Sequence, residues 1–430
     1  MRIANLFYGS LFLLFFSPLS AGGESLPYKV SEEDRLMLEK IEKDSIEYFI
    51  RHSDQKTGLT QDSSRPGSPA SIAATGFSLA SIAIGQSRGW IPYQKAYEQV
   101  RRTLQTLRLE AHHENGFFYH FLDAKTGKRV WRSEASSIDT ALLLAGALLA
   151  AQYFEGTDIP HLVETLYERV NWNWMRNGSD LICHGWKPES GFLPYYWDTY
   201  NELIILQALA IGAPKNPVPP DAWESWDRIE DEYNGKRIIY SHSGSLFTYQ
   251  YSHAFIDFRQ IDDRGVNYFE NSRLASQANW EYSLSFSAEG GPASVGKDQY
   301  QTYSEISWGL SASLGPGGYR AYGGKPGLGI QDGTIAPYAS IGSIVFTPEL
   351  SIPAVKFFYR QYQESLYGPS GFKDAFNLDK KWWSQEYLGI DQGISVLMLE
   401  NFLTKGEVWE KFMRRSEIQK WISLCKLKKS

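Results

Sequence analysis

The chain places two carboxylates among aromatic side chains immediately before an apolar run. Asp198 and Glu202 lie in residues 191–202 together with three Tyr and one Trp, and residues 203–210 are apolar apart from one Gln. A carboxyl group surrounded by rings loses its hydration, which raises its pKa towards neutral and suits it to donate a proton. The faces of Tyr and Trp are also amphipathic enough to line a wet cleft. The segment therefore predicts a general acid in a cleft for a ligand rich in hydroxyl groups, such as a sugar.

Acidic residues also stand near the start of most other apolar runs of helix length. Asp62, Asp139, Asp332 and Asp391 lie near the N-terminal ends of four further runs. Hydrolysis of a glycosidic bond uses two carboxyl groups that flank the bond, one protonated and one ionised. We therefore expect Glu202 to act as the general acid, and Asp139 or Asp391 to act as its catalytic partner.

Helix capping is the alternative role for each of these acids. Asp and Glu at a helix N-terminus interact with free backbone N–H groups and with the helix dipole, which contributes about 0.3–1 kcal/mol per residue. Thr199 and Glu202 have the spacing of a capping box, and Ser136 and Asp139 have the same spacing with Asp in place of Glu. Capping does not explain the aromatic residues around Glu202, so the acids as a group favour function.

Further side chains could hold a sugar by ring stacking or by hydrogen bonds. The predicted substrate-binding residues are Glu134, Asp198, Tyr196, Tyr200, Asn201, Trp131, Arg132, Trp186, Trp197, Trp308, Trp383 and Gln392. Packing explains each aromatic residue equally well when it is taken alone, and a salt bridge explains the arginine.

The sequence predicts neither a metal site nor a cofactor. Cys183 and Cys425 are the only cysteines, and no Cys and His cluster has the spacing of a zinc site. A disulfide between these distant cysteines is possible but is not favoured. Most histidines are expected in loops or in the core rather than as ligands, namely His112, His113, His120, His184, His242 and His253.

Six apolar runs of helix length would carry the acids to a common place. They are apolar on nearly every face, as buried helices are, and they span residues 69–85, 136–154, 199–211, 245–258, 334–346 and 391–402. Amphipathic segments alternate with them at residues 32–52, 93–109, 159–175, 220–232, 267–285 and 351–366, and a last one covers residues 407–424. This alternation predicts an all-α fold, an (α/α)6 toroid of six inner and six outer helices. The loops that lead into the inner helices would meet at one end.

The ends and the long loops of the chain support further predictions. Residues 1–21 have the order of a cleaved signal peptide, with a basic start, a short apolar stretch and small residues, which predicts a periplasmic or secreted protein. No linker divides residues 22–430, so we expect one domain. The Gly-rich region 287–333 is too long for a passive connection and is expected to form a functional loop beside the cleft.

The charge of the chain excludes some partners. The formal net charge is −6 and the charged residues are dispersed, so the chain lacks the basic patch of a nucleic-acid-binding protein. We expect a neutral oligo- or polysaccharide substrate, no membrane partner after signal cleavage, and a monomer.

Several ordered segments resemble the bacterial glucoamylase-like family, whose characterised members include endo-β-1,2-glucanases. The resembling segments are residues 116–121, 133–140, 191–202, 252–257, 308–312, 332–337 and 389–393, spread in order over roughly residues 32–412. The resemblance implies an (α/α)6 fold, export to the periplasm, and an inverting attack on β-1,2-linked glucan without a metal. It also implies that the acids within 133–140, 200–202 and 390–392 form the catalytic end of the pocket.

The resulting hypothesis is a glycoside hydrolase that cleaves a neutral glucan, with β-1,2-glucan as the expected substrate. Three alternatives remain open at this stage. One is an α-glucan hydrolase of the glucoamylase type, another is a polysaccharide lyase on a similar toroid, and the third is a glycan-binding protein without catalysis. A lyase would need a cluster of Arg or Lys with a Tyr or His base, whereas these loops are rich in acids.

Overall fold

Helices make up most of the regular secondary structure in the described residues, and they largely follow the apolar and amphipathic runs of the sequence. The computed structural model describes residues 28–288 and 298–429. The predicted signal peptide, residues 1–21, lies outside the described residues, as do residues 289–297 of the Gly-rich region.

The helices within the described ranges are numbered in chain order. They are α1 (Glu32–Arg51), α2 (Ile72–Ser87), α3 (Tyr93–Leu109), α4 (Ser137–Tyr153), α5 (Ile159–Arg169), α6 (Leu203–Gly212), α7 (Tyr251–Phe255), α8 (Tyr268–Leu284), α9 (Pro337–Gly342), α10 (Pro348–Gln361), α11 (Gln363–Leu366), α12 (Gly389–Thr404), α13 (Glu407–Met413) and α14 (Ser416–Leu424). Short 3₁₀ helices cover Trp174–Arg176, Pro220–Glu224 and Leu246–Tyr249.

Short strands brace the loops between the helices. They are β1 (Ala70–Ser71), β2 (His113–Glu114), β3 (Phe117–Phe118), β4 (Phe121–Leu122), β5 (Ala135–Ser136), β6 (Gly185–Lys187), β7 (Gly191–Phe192), β8 (Glu230–Tyr233), β9 (Lys236–Ile239), β10 (Ile261–Asp262), β11 (Ala312–Ser313), β12 (Arg320–Ala321), β13 (Tyr367–Gly368), β14 (Gly371–Phe372), β15 (Phe376–Asn377), β16 (Trp382–Trp383) and β17 (Lys428–Lys429). All their pairings are antiparallel, and β5, β6 and β7 form a three-stranded sheet.

The apolar helices form an inner ring. In chain order α2 contacts α4, α4 contacts α6, and α6 contacts α7. The 3₁₀ helix before α7 contacts α9, α9 contacts α12, and α12 returns to α2. Helices α1, α3, α5, α8 and α10 pack on the outside of this ring or on the turns that lead into it. The result is a helix-rich toroid in which the N-terminal ends of the inner helices lie towards one cavity.

Two glycines allow α2 and α4 to pack with their backbones in contact. A Cβ atom added at Gly146 would lie 1.9 Å from the carbonyl oxygen of Gly76, and one added at Gly76 would lie 2.5 Å from the carbonyl oxygen of Leu142. Any side chain larger than hydrogen would push these two helices apart. The spacing of inner helices here therefore depends on glycine.

The predicted outer helix over residues 220–232 is wrong. The chain forms a 3₁₀ helix at Pro220–Glu224 and then the hairpin of β8 and β9. Asn234 and Gly235 form the hairpin turn with φ of 49° and 75°, and an Asn-Gly pair is the usual sequence for such a turn. Helix α14 packs against α6 instead, so the predicted set of six outer helices is not observed as stated.

Other predicted bounds also differ from the structure. The inner runs 245–258 and 334–346 are only partly helical, with α7 over Tyr251–Phe255 and α9 over Pro337–Gly342. The terminal run 407–424 is split into α13 and α14 by a break at Arg414 and Arg415. Apolar composition therefore identified the buried segments correctly, but it did not set their helical lengths, because the turns between them use part of each run.

A buried charge cluster joins α1 to α12 through the residue that follows α2. Arg88 donates from Nε to Glu400 Oε2 at 2.8 Å and from Nη2 to Glu42 Oε2 at 3.3 Å. Both glutamates are fully buried. Burial, followed by the charge of Glu400, raises the pKa of Glu42 well above its usual range. Arg88 is therefore the cation that offsets two buried carboxyl groups.

Replacement of Arg88 with Met is expected to destabilise the protein by about 3 kcal/mol, because removing one partner leaves buried carboxyl groups without a counter-charge. The loss should be largest near neutral pH and smaller in acid, where protonation makes both glutamates neutral. Urea denaturation at several pH values measures the effect. A loss below about 0.5 kcal/mol at neutral pH, within the range of ordinary surface substitutions, would contradict this role.

Candidate active site

The starts of the inner helices converge on a cavity of about 440 Å³. Its wall contains residues from the first turns of the inner helices or from the turns that precede them, and these residues are Ser71, Ala73, Ile138, Asp139, Leu142, Glu202, Phe247, Tyr251, Tyr338, Leu388 and Ile390. The remainder comes from the connecting loops and comprises Asp62, Ser63, Arg65, His120, Phe121, Ala312, Leu314, Tyr319 and Glu386. The ring thus brings residues that are distant in sequence to one acidic, aromatic site.

Glu202 occupies the N-cap position of α6, but its side chain does not cap the helix. Helix α6 begins at Leu203, so the predicted capping box of Thr199 and Glu202 does not form. Asn201 Oδ1 accepts the hydrogen bond from the Leu203 backbone N–H at 2.8 Å instead. The Glu202 carboxyl group is therefore left to face the cavity, which favours chemistry over capping.

Burial raises the pKa of Glu202 to about 7. A hydrogen bond from its own backbone N–H lowers this pKa, and the negative charge of Asp139 raises it further. A carboxyl group with this pKa is substantially protonated near neutral pH, which is the state that a general acid needs.

Asp139 lies in the first turn of α4 and reaches the same cavity. The cap of α4 is Ser136, whose Oγ accepts from the Asp139 backbone N–H at 3.2 Å. The Asp139 side chain turns towards His120, with its Oδ2 3.5 Å from His120 Nδ1. The backbone N–H of Asp139 therefore takes part in the helix cap, while its carboxylate lines the cavity wall.

Asp391 occupies a different environment from Asp139. It is 1% exposed and does not line the cavity, although it lies in the first turn of α12. Burial, followed by the neighbouring Asp374 carboxyl group, raises the pKa of Asp391 well above its usual range. Asp374 Oδ2 accepts from the Leu314 backbone N–H at 2.7 Å and so holds the loop between β11 and β12. The two aspartates form a buried pair that does not line the cavity.

The predicted loop residues Trp131 and Arg132 lie outside the cavity. Trp131 is 63% exposed, and its ring centroid lies 5.1 Å from that of Phe121, which lines the cavity. Arg132 is exposed, with Nε 3.8 Å from Glu189 Oε1. Both have left-handed backbone, with φ of 54° and 52°. The ring of Trp131 is thus exposed to solvent beside Phe121, where it is accessible to a ligand.

Several predicted binding residues are buried in packing contacts and do not line the cavity. Trp197 stacks on His184 and donates from Nε1 to Ser137 Oγ at 2.9 Å. Tyr200 packs among aromatic rings, including Tyr249 and Tyr268.

Trp308 and Gln392 are also buried in packing contacts and do not line the cavity. Trp308 donates from Nε1 to the Leu350 carbonyl at 3.3 Å, and Gln392 donates from Nε2 to the Phe372 carbonyl at 2.7 Å. The structure does not bring these side chains to the acids of the cavity.

The remaining predicted residues lie on the loops away from the cavity wall. Trp186 of β6 is half-buried, with its ring 5.9 Å from that of Trp174, and Trp383 stacks on Phe376 at 5.2 Å. Tyr196 is half-buried and Asp198 is exposed. Glu134 does not line the cavity. Its Oε1 lies 3.2 Å from Nδ1 of His120, and His120 does line the cavity.

Sequence reasoning missed several residues that line the cavity. Asp62 and Glu386 line the cavity but are not among the predicted site residues, and burial raises the pKa of Asp62. Tyr319 lies in the Gly-rich region, just before β12, and burial, followed by the charges of nearby acids, raises its pKa. His120 was expected to be a loop or core histidine, whereas its ring faces Asp139 and Glu134. Spacing along the chain contained no signal for these contacts, because each joins separate loops.

Some features of other kinds of site are absent from the part of the chain that the structure describes. Over residues 28–288 and 298–429, no three His, Cys, Asp or Glu side chains are grouped so that they could hold a metal ion. In the same ranges, no helix is both long enough and apolar enough to cross a membrane. Cys183 and Cys425 are both buried free thiols.

Comparisons with known proteins agree with the fold. The sequence model of the family described as "Putative glucoamylase" matches residues 194–416, just over half of the chain. The chain is 29% identical over 430 aligned residues to an exo β-1,2-glucooligosaccharide sophorohydrolase (non-reducing end) of Parabacteroides distasonis. That alignment covers 90% of this chain and 57% of the relative, so the chain spans little more than half of that relative's length.

Solved structures resemble the chain over most of its length. The endo-β-1,2-glucanase of Chitinophaga pinensis, in complex with sophorotriose and glucose, superposes with a TM-score of 0.84 at 26% identity. It covers 93% of this chain and 99% of its own. A β-1,2-glucanase of Parabacteroides distasonis gives a TM-score of 0.84 at 26% identity, and covers 93% of this chain and 60% of its own.

Proposed function

Because this chain belongs to the glucoamylase-like family, we propose that it is a glycoside hydrolase that cleaves a neutral glucan with β-1,2 linkages. The observation that carries the proposal is the pairing of Glu202, whose pKa is about 7, with Asp139 in the wall of one cavity. The β-1,2 linkage is supported by the relatives, which are a sophorohydrolase and β-1,2-glucanases. The arrangement fits an (α/α)6 toroid, and residues 1–21 fit export to the periplasm or the medium.

The proposed reaction inverts the configuration at the anomeric carbon. Glu202 donates its proton to the glycosidic oxygen as the bond between that oxygen and the anomeric carbon breaks. Asp139 accepts a proton from a water molecule, whose oxygen forms the new bond to the anomeric carbon from the opposite face. Atoms and charge balance in this step, since one proton leaves Glu202 and another reaches Asp139.

The surroundings of the three candidate acids support this division of roles. A general acid must begin protonated and a general base must begin ionised. Glu202 meets the first condition near neutral pH. Burial, followed by the neighbouring Asp374, raises the pKa of Asp391 well above its usual range, and Asp391 does not line the cavity, so it is poorly placed to be the base. Asp139 lines the cavity wall, with its Oδ2 3.5 Å from Nδ1 of His120, and we assign it the role of the base on this position.

Incubation of the mature protein with a panel of glucans tests the function. We expect sophoro-oligosaccharides to be released from β-1,2-glucan, and little product from maltodextrin or from β-1,3- and β-1,4-glucans. Proton NMR during the first turnovers should show the α-anomer as the initial product, because inversion converts a β linkage to an α hydroxyl. Activity on maltodextrin alone would overturn the linkage, and an initial β-anomer would overturn inversion.

The same panel separates the proposal from a lyase and from a binding protein. A lyase would yield an unsaturated product that absorbs ultraviolet light, and it would require a substrate with uronate groups. A binding protein would retain sophoro-oligosaccharides without shortening them. Four carboxyl groups line the cavity, from Asp62, Asp139, Glu202 and Glu386, and this acid-rich wall supports hydrolysis of a neutral sugar.

A further inference from the structure

His120 brings a positive charge into a cavity that is lined by the carboxyl groups of Asp62, Asp139, Glu202 and Glu386. Its Nδ1 lies 3.2 Å from Glu134 Oε1 and 3.5 Å from Asp139 Oδ2. Asp62, on the loop before β1, acts on it electrostatically from a third element. A histidine that faces carboxylates from three separate elements is unusual for a loop residue with only a packing role.

The backbone fixes the position of this ring. The His120 backbone N–H donates to the Glu134 carbonyl at 2.8 Å, and the His120 carbonyl accepts from the Ile72 backbone N–H at 3.1 Å. The ring also stacks on Phe121, with centroids 4.0 Å apart and the planes at 14°. These contacts hold the imidazole between β4 and the starts of α2 and α4, where it faces Asp139.

We propose that His120, held by Glu134, is a positioning residue that keeps Asp139 ionised beside the protonated Glu202. The proposal rests on the proposed function, since it assigns a protonation state that hydrolysis requires. In this proposal His120 transfers no proton to the substrate. Its role is to supply a fixed positive charge next to Asp139, the proposed base.

The electrostatics of the cluster agree with this geometry. Burial of the ring disfavours its charged form, but Asp139, Glu134 and Asp62 outweigh burial and raise the pKa of His120 to about 9. The hydrogen bond from His120 lowers the pKa of Glu134 to about 2, against the effect of its burial. Lys187 also acts on Glu134, and Arg65 acts on Asp62. The imidazolium and the Glu134 carboxylate are therefore both charged throughout the neutral range.

A fixed charge solves a problem that two neighbouring acids create. The negative charge of Asp139 raises the tendency of Glu202 to hold a proton, since like charges in a partly buried site repel. Catalysis requires the opposite, one protonated and one ionised group. An imidazolium close to Asp139 stabilises the ionised form of that residue in particular, and so separates the two acids.

The charge can be measured without any assay of activity. NMR titration of the His120 ring, identified by loss of its signals in His120→Asn, should show a midpoint near pH 9 in the unmodified protein. Glu134→Gln should lower this midpoint by one unit or more, because a direct carboxylate partner is lost. A midpoint at or below the ordinary value for histidine, about 6.5, would overturn the proposal whether or not the protein hydrolyses glucan.

The variant His120→Asn tests the consequence for catalysis. Asn can place an N–H donor near the position of Nδ1 but carries no charge. On β-1,2-glucan we expect kcat/KM at pH 6 to fall about 10-fold or more, chiefly through kcat, and the acidic limb of the pH profile to move up by about one unit. Glu134→Gln should leave the acidic limb in place, because His120 stays protonated in acid.

His161→Asn, at an exposed position on α5, is the matched control and should retain the original profile. A loss of activity in His120→Asn without movement of the acidic limb would mean that His120 only packs or donates a hydrogen bond, and the proposal would fail. Absence of hydrolysis by the unmodified protein would instead reject the proposed function, while the NMR titration would still decide the charge of His120.

Discussion

Replacement of Glu202 with Gln is expected to lower kcat on β-1,2-glucan by about 10²- to 10⁴-fold, the usual contribution of a general acid. Gln has nearly the same shape and cannot donate a carboxyl proton. Since the Glu202 side chain makes no capping hydrogen bond to α6, its loss should leave the melting temperature almost unchanged. Initial rates from reducing-end assays, together with thermal unfolding, measure the two effects.

The pH profile and the leaving group make this prediction specific to acid catalysis. In the unmodified protein, activity should decline as the pH rises through about 7, where Glu202 loses its proton. That alkaline limb should disappear in Glu202→Gln. An aryl β-sophoroside, whose phenolate leaves without protonation, should recover much of the lost rate. Glu164→Gln on the exposed face of α5 is the control. Near-normal activity of Glu202→Gln on β-1,2-glucan would remove Glu202 from the mechanism.

Replacement of Asp139 with Asn is expected to cause a second large loss, again about 10²- to 10⁴-fold in kcat, because water is no longer activated. Azide is a nucleophile that needs no general base. Added azide should therefore restore turnover of the aryl substrate and give a glycosyl azide of α configuration. Mass spectrometry and NMR of the product identify both the azide and its anomeric form.

Asp391→Asn separates the two candidates for the base. Asp391 is buried beside Asp374 and does not line the cavity, so azide should not rescue its variant. Some loss of activity is still expected, since Asp374 anchors Leu314 in the cavity wall and the two aspartates stabilise each other's protonation states. Rescue by azide of Asp391→Asn, and not of Asp139→Asn, would transfer the role of the base to Asp391.

Several buried helices are predictable from the sequence, whereas one hairpin is not. The apolar runs at α2, α4, α6 and α12 were located correctly, because a helix buried on every face must be apolar on every face. The hairpin of β8 and β9 was missed although Asn234 and Gly235 signalled its turn, since the surrounding residues also fit an amphipathic helix. The family resemblance was confirmed by the match over residues 194–416.

In the site, the sequence identified an acidic residue of the cavity wall correctly but did not identify the aromatic residues of the wall. The aromatic crowding before α6 singled out Glu202, and the structure leaves this residue uncapped in the cavity wall. The aromatic residues themselves were less informative, because Trp197, Tyr200 and Trp308 are buried. Trp and Tyr serve equally well in a core and in a cleft, so their residue type does not tell which surroundings they have.

The sequence by itself determined the ring of buried helices and the acids at their N-terminal ends, because both depend on residue type and local spacing. Only the tertiary structure decided which of those acids line one cavity and which surroundings each of them has. Asp139 and Asp391 occupy similar positions in the first turns of α4 and α12, yet one faces His120 and the other is buried beside Asp374. A protonation state depends on burial and on charges a few ångströms away, and here those charges come from segments distant along the chain.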